Sequence, residues 1–237
     1  MSTRWPTLRV LVTSHVTFAM IAWFVLLVAS VGITFVTSIW QDIDVSVWHF
    51  VATQGAPWVA LGLGIDAVNS YLRLHIAHGR TRGDFMRQLV PYFFCLAGVL
   101  ALLVTLGYVV EGGLYSSAGW QHQVPQAALV HDGGNVVGIF CGYYLTFLLW
   151  TAGSSMVAAA FSRNFLLGLV LSPAAILLTL PGEALVGFTS FPIFRLLDDG
   201  LLLRTGPAVA LAVAELVGGC LVLWTLVRDL PLRPKVN

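Results

Sequence analysis

Residues 15 to 40 read HVTFAMIAWFVLLVASVGITFVTSIW, a run without a single Asp, Glu, Lys or Arg. About 20 residues in helical form cross a hydrocarbon core, so this stretch is long enough to span a membrane. It is too long for the core of a signal peptide and has no convincing cleavage site after it, and it is expected to be retained.

The rest of the chain has the same character. Of 237 residues, 58% are hydrophobic and 10% charged, with a mean hydropathy of +0.86. A soluble protein of this size needs far more charge to cover its core. The composition therefore predicts an all-α, polytopic membrane protein forming one domain over residues 1–237. Six spans are predicted, near 15–38, 57–74, 91–110, 135–158, 164–181 and 206–227. The second is the most interrupted, because Asp66, Asn69 and Ser70 fall inside it. A net charge of +1 points to no nucleic-acid partner.

Charge in the loops orients the chain. With the N-terminus in the cytoplasm, ten of the 12 cationic residues lie on that side, and only Arg195 and Arg204 lie outside. Lys and Arg concentrate in cytoplasmic loops, so both termini are expected inside a plasma membrane. Asp42, Asp44, Glu111, Asp132, Asp198 and Asp199 then belong to outer loops.

Four arginines, at 73, 80, 82 and 87, crowd the loop after the second span, within RLHIAHGRTRGDFMRQLVP at 73–91. Thr81 and Asp84 have the form of a helix-capping box, which predicts a short helix beginning at Arg82. Gly79 lets the chain turn before it. Phe85, Met86 and Leu89 share one face, and Pro91 is expected to reset the direction where the third span begins. On these residues alone, arginines placed by the positive-inside rule and a basic amphipathic helix lying on anionic membrane lipid explain the pattern slightly better than a docking element does.

Within that loop, HGRTRGDFMRQ resembles the segment between the second and third spans of six-helix permease subunits of ATP-binding-cassette exporters, the ABC-2-type family. Gly79, Thr81, Arg82 and Phe85 match its Gly-x-(Ser/Thr)-Arg-x-x-Phe pattern. Arg80 departs from it, standing where a small or apolar residue is expected. The resemblance implies a cytoplasmic coupling helix between helices 2 and 3, with Gly79, Arg80, Thr81, Arg82, Asp84, Phe85 and Arg87 transmitting the closure of a separate ATPase subunit. It also implies outer re-entrant helices before helix 6, within PGEALVGFTSFPIFRLLDDGLLLRTGP at 181–207. A second permease subunit, identical or related, is implied as well. The chain has no Gly-x-x-x-x-Gly-Lys-(Ser/Thr) loop, and its only lysine is Lys235. It is thus expected to be a transporter subunit rather than an enzyme, binding no cofactor, with ATP and Mg held by the partner chain. The implied activity is export, by alternating access, of an amphipathic, lipid-like, peptide or drug substrate.

Polar groups inside spans are the remaining candidates, because a charge in mid-bilayer costs at least about 3 kcal/mol unless it faces protein or water. Asp66 and Asn69 are placed on nearly one face of the second span, and Glu215 lies inside the last. Each fits a transport pathway, a subunit interface or a packing hydrogen bond. Glycines 62, 64, 218 and 219 would permit close helix approach. Trp40, Trp48, Trp58, Tyr115 and Trp120 read as an interfacial belt, and Cys95, Cys141 and Cys220 as packing residues. His122, His131 and Asp132 lack metal-ligand spacing. Ser154 and Ser155 have no histidine in the last span to activate them, which argues against a serine protease. A substrate-binding subunit of an ATP-driven uptake system and a passive channel are the alternatives to the exporter subunit.

Overall fold

In the computed structural model the described residues are 6–40, 43, 45–124, 127–130, 132–187 and 205–228. They form a helical bundle. α1 spans Pro6–Thr37, α2 Val47–Gln54 and α3 Ala56–Asp66; a π-helical segment, Ala67–Leu72, leads into α4, Arg73–Ala77. α5 spans Arg82–Ala118, α6 Val136–Arg163, α7 Phe165–Val186 and α8 Thr205–Arg228. Inside hydrocarbon a segment must satisfy its own backbone hydrogen bonds, which is why apolar composition here resolves into helices.

Five helices, α1, α5, α6, α7 and α8, are long and apolar enough to cross a membrane. The expected second span is a composite. Its polar residues coincide with the change from α3 to π winding, so the run from Ala56 to Ala77 is three short helical pieces in succession. A π turn adds one residue to the ring closed by each backbone hydrogen bond and rotates the residues after it to new neighbours.

α6 is the most enclosed of the five long helices and packs against α3, α5, α7 and α8. Small residues allow this: Gly142, Gly153, Ser154, Ser155 and Ala158–Ala160 of α6 are buried or face neighbouring helices. Ser155 Oγ donates to the Gly64 carbonyl at 2.8 Å, and Ser154 Oγ to the Thr151 carbonyl at 3.2 Å. The two serines thus serve helix packing. α1 lies at the periphery against α2 and α5, with Phe18, Phe24, Val25 and Val28 on its exposed face. Such a surface fits lipid, where apolar exposure carries no hydration cost.

Polar caps end the helices where the sequence offers them. Asn135 Oδ1 accepts from Gly138 N at 3.1 Å to start α6. Asn164 alone separates α6 from α7, its Oδ1 accepting from Leu166 N at 2.8 Å.

Several expectations are corrected. The short helix expected from Arg82 is not separate from the third span: the turn opened there continues through Pro91 to Ala118, 37 residues in all. A proline ten residues into a helix forfeits one backbone hydrogen bond without forcing a break, and the packed faces on either side hold the helix through it. Glu111 is not in an outer loop, since α5 carries it, buried, beyond the predicted end at 110. Trp48 and Tyr115 are buried rather than interfacial, whereas Trp40 and Trp58 are exposed as expected. Cys95 and Cys141 are exposed and Cys220 is intermediate. Of these four glycines, Gly64 and Gly219 mediate close approach, whereas a Cβ on Gly62 or Gly218 would meet nothing within 4 Å. Residues 181–186, expected to open the re-entrant excursion, are the last turns of α7; residues 188–204, where the rest was placed, lie outside the described residues.

Candidate functional site

Every described arginine lies at one end of the bundle, at a helix terminus or in the turn between α4 and α5. That end is assembled around the basic loop. Thr81, extended at φ −84° and ψ 154°, caps α5: its Oγ1 accepts from Asp84 N at 3.1 Å and donates to Asp84 Oδ2 at 2.9 Å. The helix start expected at Arg82 is therefore where the structure puts it. Gly79 makes the preceding turn at φ 73°, a conformation that side chains with a Cβ rarely adopt.

Behind the loop its side chains are tied to three helices. Phe85 is 0% exposed and meets the His75 ring edge-on, with centroids 5.5 Å apart. His75 Nε2 donates to the Thr81 carbonyl at 3.2 Å, and its Nδ1 accepts from Thr7 Oγ1 at 2.7 Å. A neutral ring, with one donor and one acceptor nitrogen, satisfies both contacts. Gln88 Oε1 accepts from Thr7 N at 3.1 Å and Leu8 N at 3.2 Å, capping the start of α1 from α5. Arg82 Nη1 donates to the Arg228 carbonyl at 2.9 Å, at the end of α8. α1, α4 and α8 thus all join the first turns of α5.

The seven residues assigned to this element divide into two sets. Phe85 is sealed inside, so it cannot touch a soluble partner without rearrangement. Gly79, Arg80 and Thr81 are exposed, and the Arg87 side chain is 80% exposed, 3.8 Å from Asp84 in a loose ion pair. Arg80, Arg87 and the edge of Asp84 make up the accessible face, and Phe85 belongs to the anchor beneath it. Thr7, His75 and Gln88 complete the anchor; their only sequence signal is that polar residues flank spans at the basic end.

Deeper in the bundle, the expected polar pair separates. Asp66 Oδ2 lies 3.0 Å from His15 Nε2, and Asp66 Oδ1 accepts from Ser70 Oγ at 2.5 Å. Asn69 instead accepts from Ser162 Oγ of α6 at 3.2 Å. Glu215 stands away from both in α8, with Oε2 buried and lacking a hydrogen bond. Three helices meet at His15: Asp66 ends α3, and Tyr92 of α5 hydrogen-bonds His15 Nδ1 through its hydroxyl. His15 and Tyr92 were not foreseen as partners of Asp66. A lone histidine inside the first apolar run was the available signal, since such residues are rare in spans without a polar partner.

A second buried polar group lies toward the other end. Glu111 accepts from Ser46 Oγ, from Trp48 N at 2.7 Å and from His122 Nε2 at 2.9 Å. It fixes the start of α2 against α5. His122 is therefore engaged by a carboxylate, and among the described residues no group of three or more His, Cys, Asp or Glu is arranged to hold a metal ion. His131 lies outside the described residues.

The chain matches no protein-family model, no curated protein and no solved structure.

Proposed function

We propose that this chain is the six-span permease subunit of an ABC-2-type, ATP-driven exporter in the plasma membrane, with both termini in the cytoplasm. The observation that supports it most is the mechanical continuity of the basic end. A force applied to Arg80 and Arg87 would pass through Phe85, His75, Gln88 and Arg82 into α4, α1 and α8. In this account the coupling element is the turn at 79–81 together with the start of α5, and the composite run 56–77 serves as the second span. Separate ATPase subunits bind ATP and Mg and press on that turn. A second permease copy or relative completes the pathway, and Asp66, Asn69 and Glu215 face pathway or interface. The cargo is an amphipathic, lipid-like, peptide or drug compound.

The arginines of the accessible face carry the test. Arg80→Glu combined with Arg87→Glu is expected to lower nucleotide hydrolysis by the co-reconstituted ATPase about tenfold, a loss of about 1.4 kcal/mol in coupling. The thermal unfolding midpoint should not move, because exposed substitutions usually change stability by less than about 0.5 kcal/mol. Wild-type hydrolysis by the double variant would remove the coupling role.

A further inference from the structure

We propose that His15, Asp66 and Tyr92 form an intramembrane proton-binding site, in which one exchangeable proton is shared between the imidazole of α1 and the carboxylate of α3. This requires only that the bundle lie in a membrane and is independent of any ATPase partner.

The hydrogen-bond inventory carries the argument. His15 Nε2 faces Asp66 Oδ2 at 3.0 Å, and His15 Nδ1 faces the Tyr92 hydroxyl. Tyr92 has a second acceptor within reach, the Leu63 carbonyl at 3.5 Å. With His15 neutral, Nε2–H donates to Asp66 and Nδ1 accepts from Tyr92. With His15 protonated, Nδ1–H donates to the Tyr92 oxygen, and the Tyr92 hydrogen turns to the Leu63 carbonyl. Every polar group keeps a partner in both states, and the only atom gained or lost is the proton. A buried network built only for packing needs to be satisfied in one state.

Charge and access point the same way. The cluster carries about one negative charge without the proton and none with it, and low dielectric favours the neutral form. The groups facing His15 are Asp66 from α3, Tyr71 from the π segment and Tyr92 from α5. Among the described residues, none of the hydrogen bonds or ion pairs at the cluster involves an arginine. The His15 side chain is 4% exposed, whereas that of Asp66 is 46% exposed. With the imidazole sealed, the proton exchanges through the carboxylate, the half-exposed member of the pair. The site lies where π winding begins, so Ser70, which donates to Asp66 Oδ1, is part of the segment whose register would change if Asp66 were released.

The test uses the full chain in lipid nanodiscs, each variant first shown to be helical by circular dichroism. Proton uptake is read with an indicator dye on acidification from about pH 8 to about pH 5, the interval in which imidazole-based sites exchange. Relative to wild type, His15→Gln and Asp66→Asn should each take up about one proton fewer per chain, and the double variant no fewer than either single, because the proton is shared. Tyr92→Phe keeps the ring packing; it should remove the Tyr92 band from the phenol region of the infrared difference spectrum between the two pH values. Undiminished uptake by either folded single variant, or a phenol signal that survives Tyr92→Phe unchanged, would overturn the proposal. So would one-for-one displacement of the proton by sodium or potassium, which would make the cluster a metal-cation site.

Discussion

Glu111→Leu is expected to destabilise the bundle by about 3–5 kcal/mol, the range for removing one partner from a buried charged cluster. The carboxylate accepts from the Ser46 hydroxyl, the Trp48 backbone N–H and the His122 ring. Leucine fills similar space but leaves those donors buried without an acceptor, and each unpaired donor costs about 1–3 kcal/mol. The loss also frees the start of α2 and with it Trp48, whose indole N–H donates to the Val104 carbonyl at 2.9 Å. Glu111→Gln keeps one oxygen acceptor and should lose only about 1 kcal/mol. Unfolding of the two variants in the same detergent, followed by tryptophan fluorescence, gives the comparison. Equal midpoints for both would mean that the cluster is not what positions α2.

The second large effect separates two glycines that the sequence GLG at 62–64 makes look equivalent. A Cβ at position 64 would fall 2.0 Å from Ser154 Oγ and 2.7 Å from the Thr151 carbonyl oxygen. The hydroxyl can rotate away, but the α6 backbone cannot, so Gly64→Ala must push α3 from α6 and break the Ser155 bond to the Gly64 carbonyl. Overpacking of this kind costs about 1–3 kcal/mol, and the lost hydrogen bond adds about 1 kcal/mol. At position 62 a Cβ meets nothing within 4 Å. Gly62→Ala should therefore be neutral or stabilising by up to about 1 kcal/mol through helix propensity. Melting both variants beside wild type checks the contrast, and equal losses would contradict the packing of α3 on α6.

Much of this architecture was legible because hydrocarbon tolerates few alternatives: an apolar run of sufficient length becomes a helix whatever its neighbours. The ends were harder to place. α5 outruns its predicted span at both ends because Arg82–Val90 are amphipathic and the Glu111 carboxylate accepts hydrogen bonds from Ser46 and Trp48 at the start of α2, more than 60 residues away, and from His122 in the loop that follows α5. The Thr81 cap was readable because its chemistry is local, spanning three residues. Whether Phe85 faces outward or inward depends on His75, and that in turn on Thr7. Such contacts leave no periodic signal. Asp66 stood out as an acid within an apolar run, but its pairing with His15 joins positions 51 residues apart, and α3 gives way to π winding just after it. Asn69, three residues on, consequently turns to Ser162 rather than to the same neighbours.

The arrangement gives α5 two duties. Phe85, Tyr92 and Tyr108 are buried along its length, and Arg87 near its start stands with Arg80, just before it, on the accessible face. In the proposed transporter, movement imposed at Arg80 and Arg87 reaches the His15–Asp66 pair along a single helix, about 15 Å from Arg82 to Tyr92.

The most direct measurement is recovery of the tagged chain from its native membrane in mild detergent, with the bound proteins identified and quantified, for wild type and for Arg80→Glu/Arg87→Glu. The account predicts a soluble ATPase in near-stoichiometric amount with wild type, and at least about tenfold less with the variant, which should remain as well folded as wild type. An intact chain recovered without any ATPase, or with the same amount bound to both forms, would contradict it.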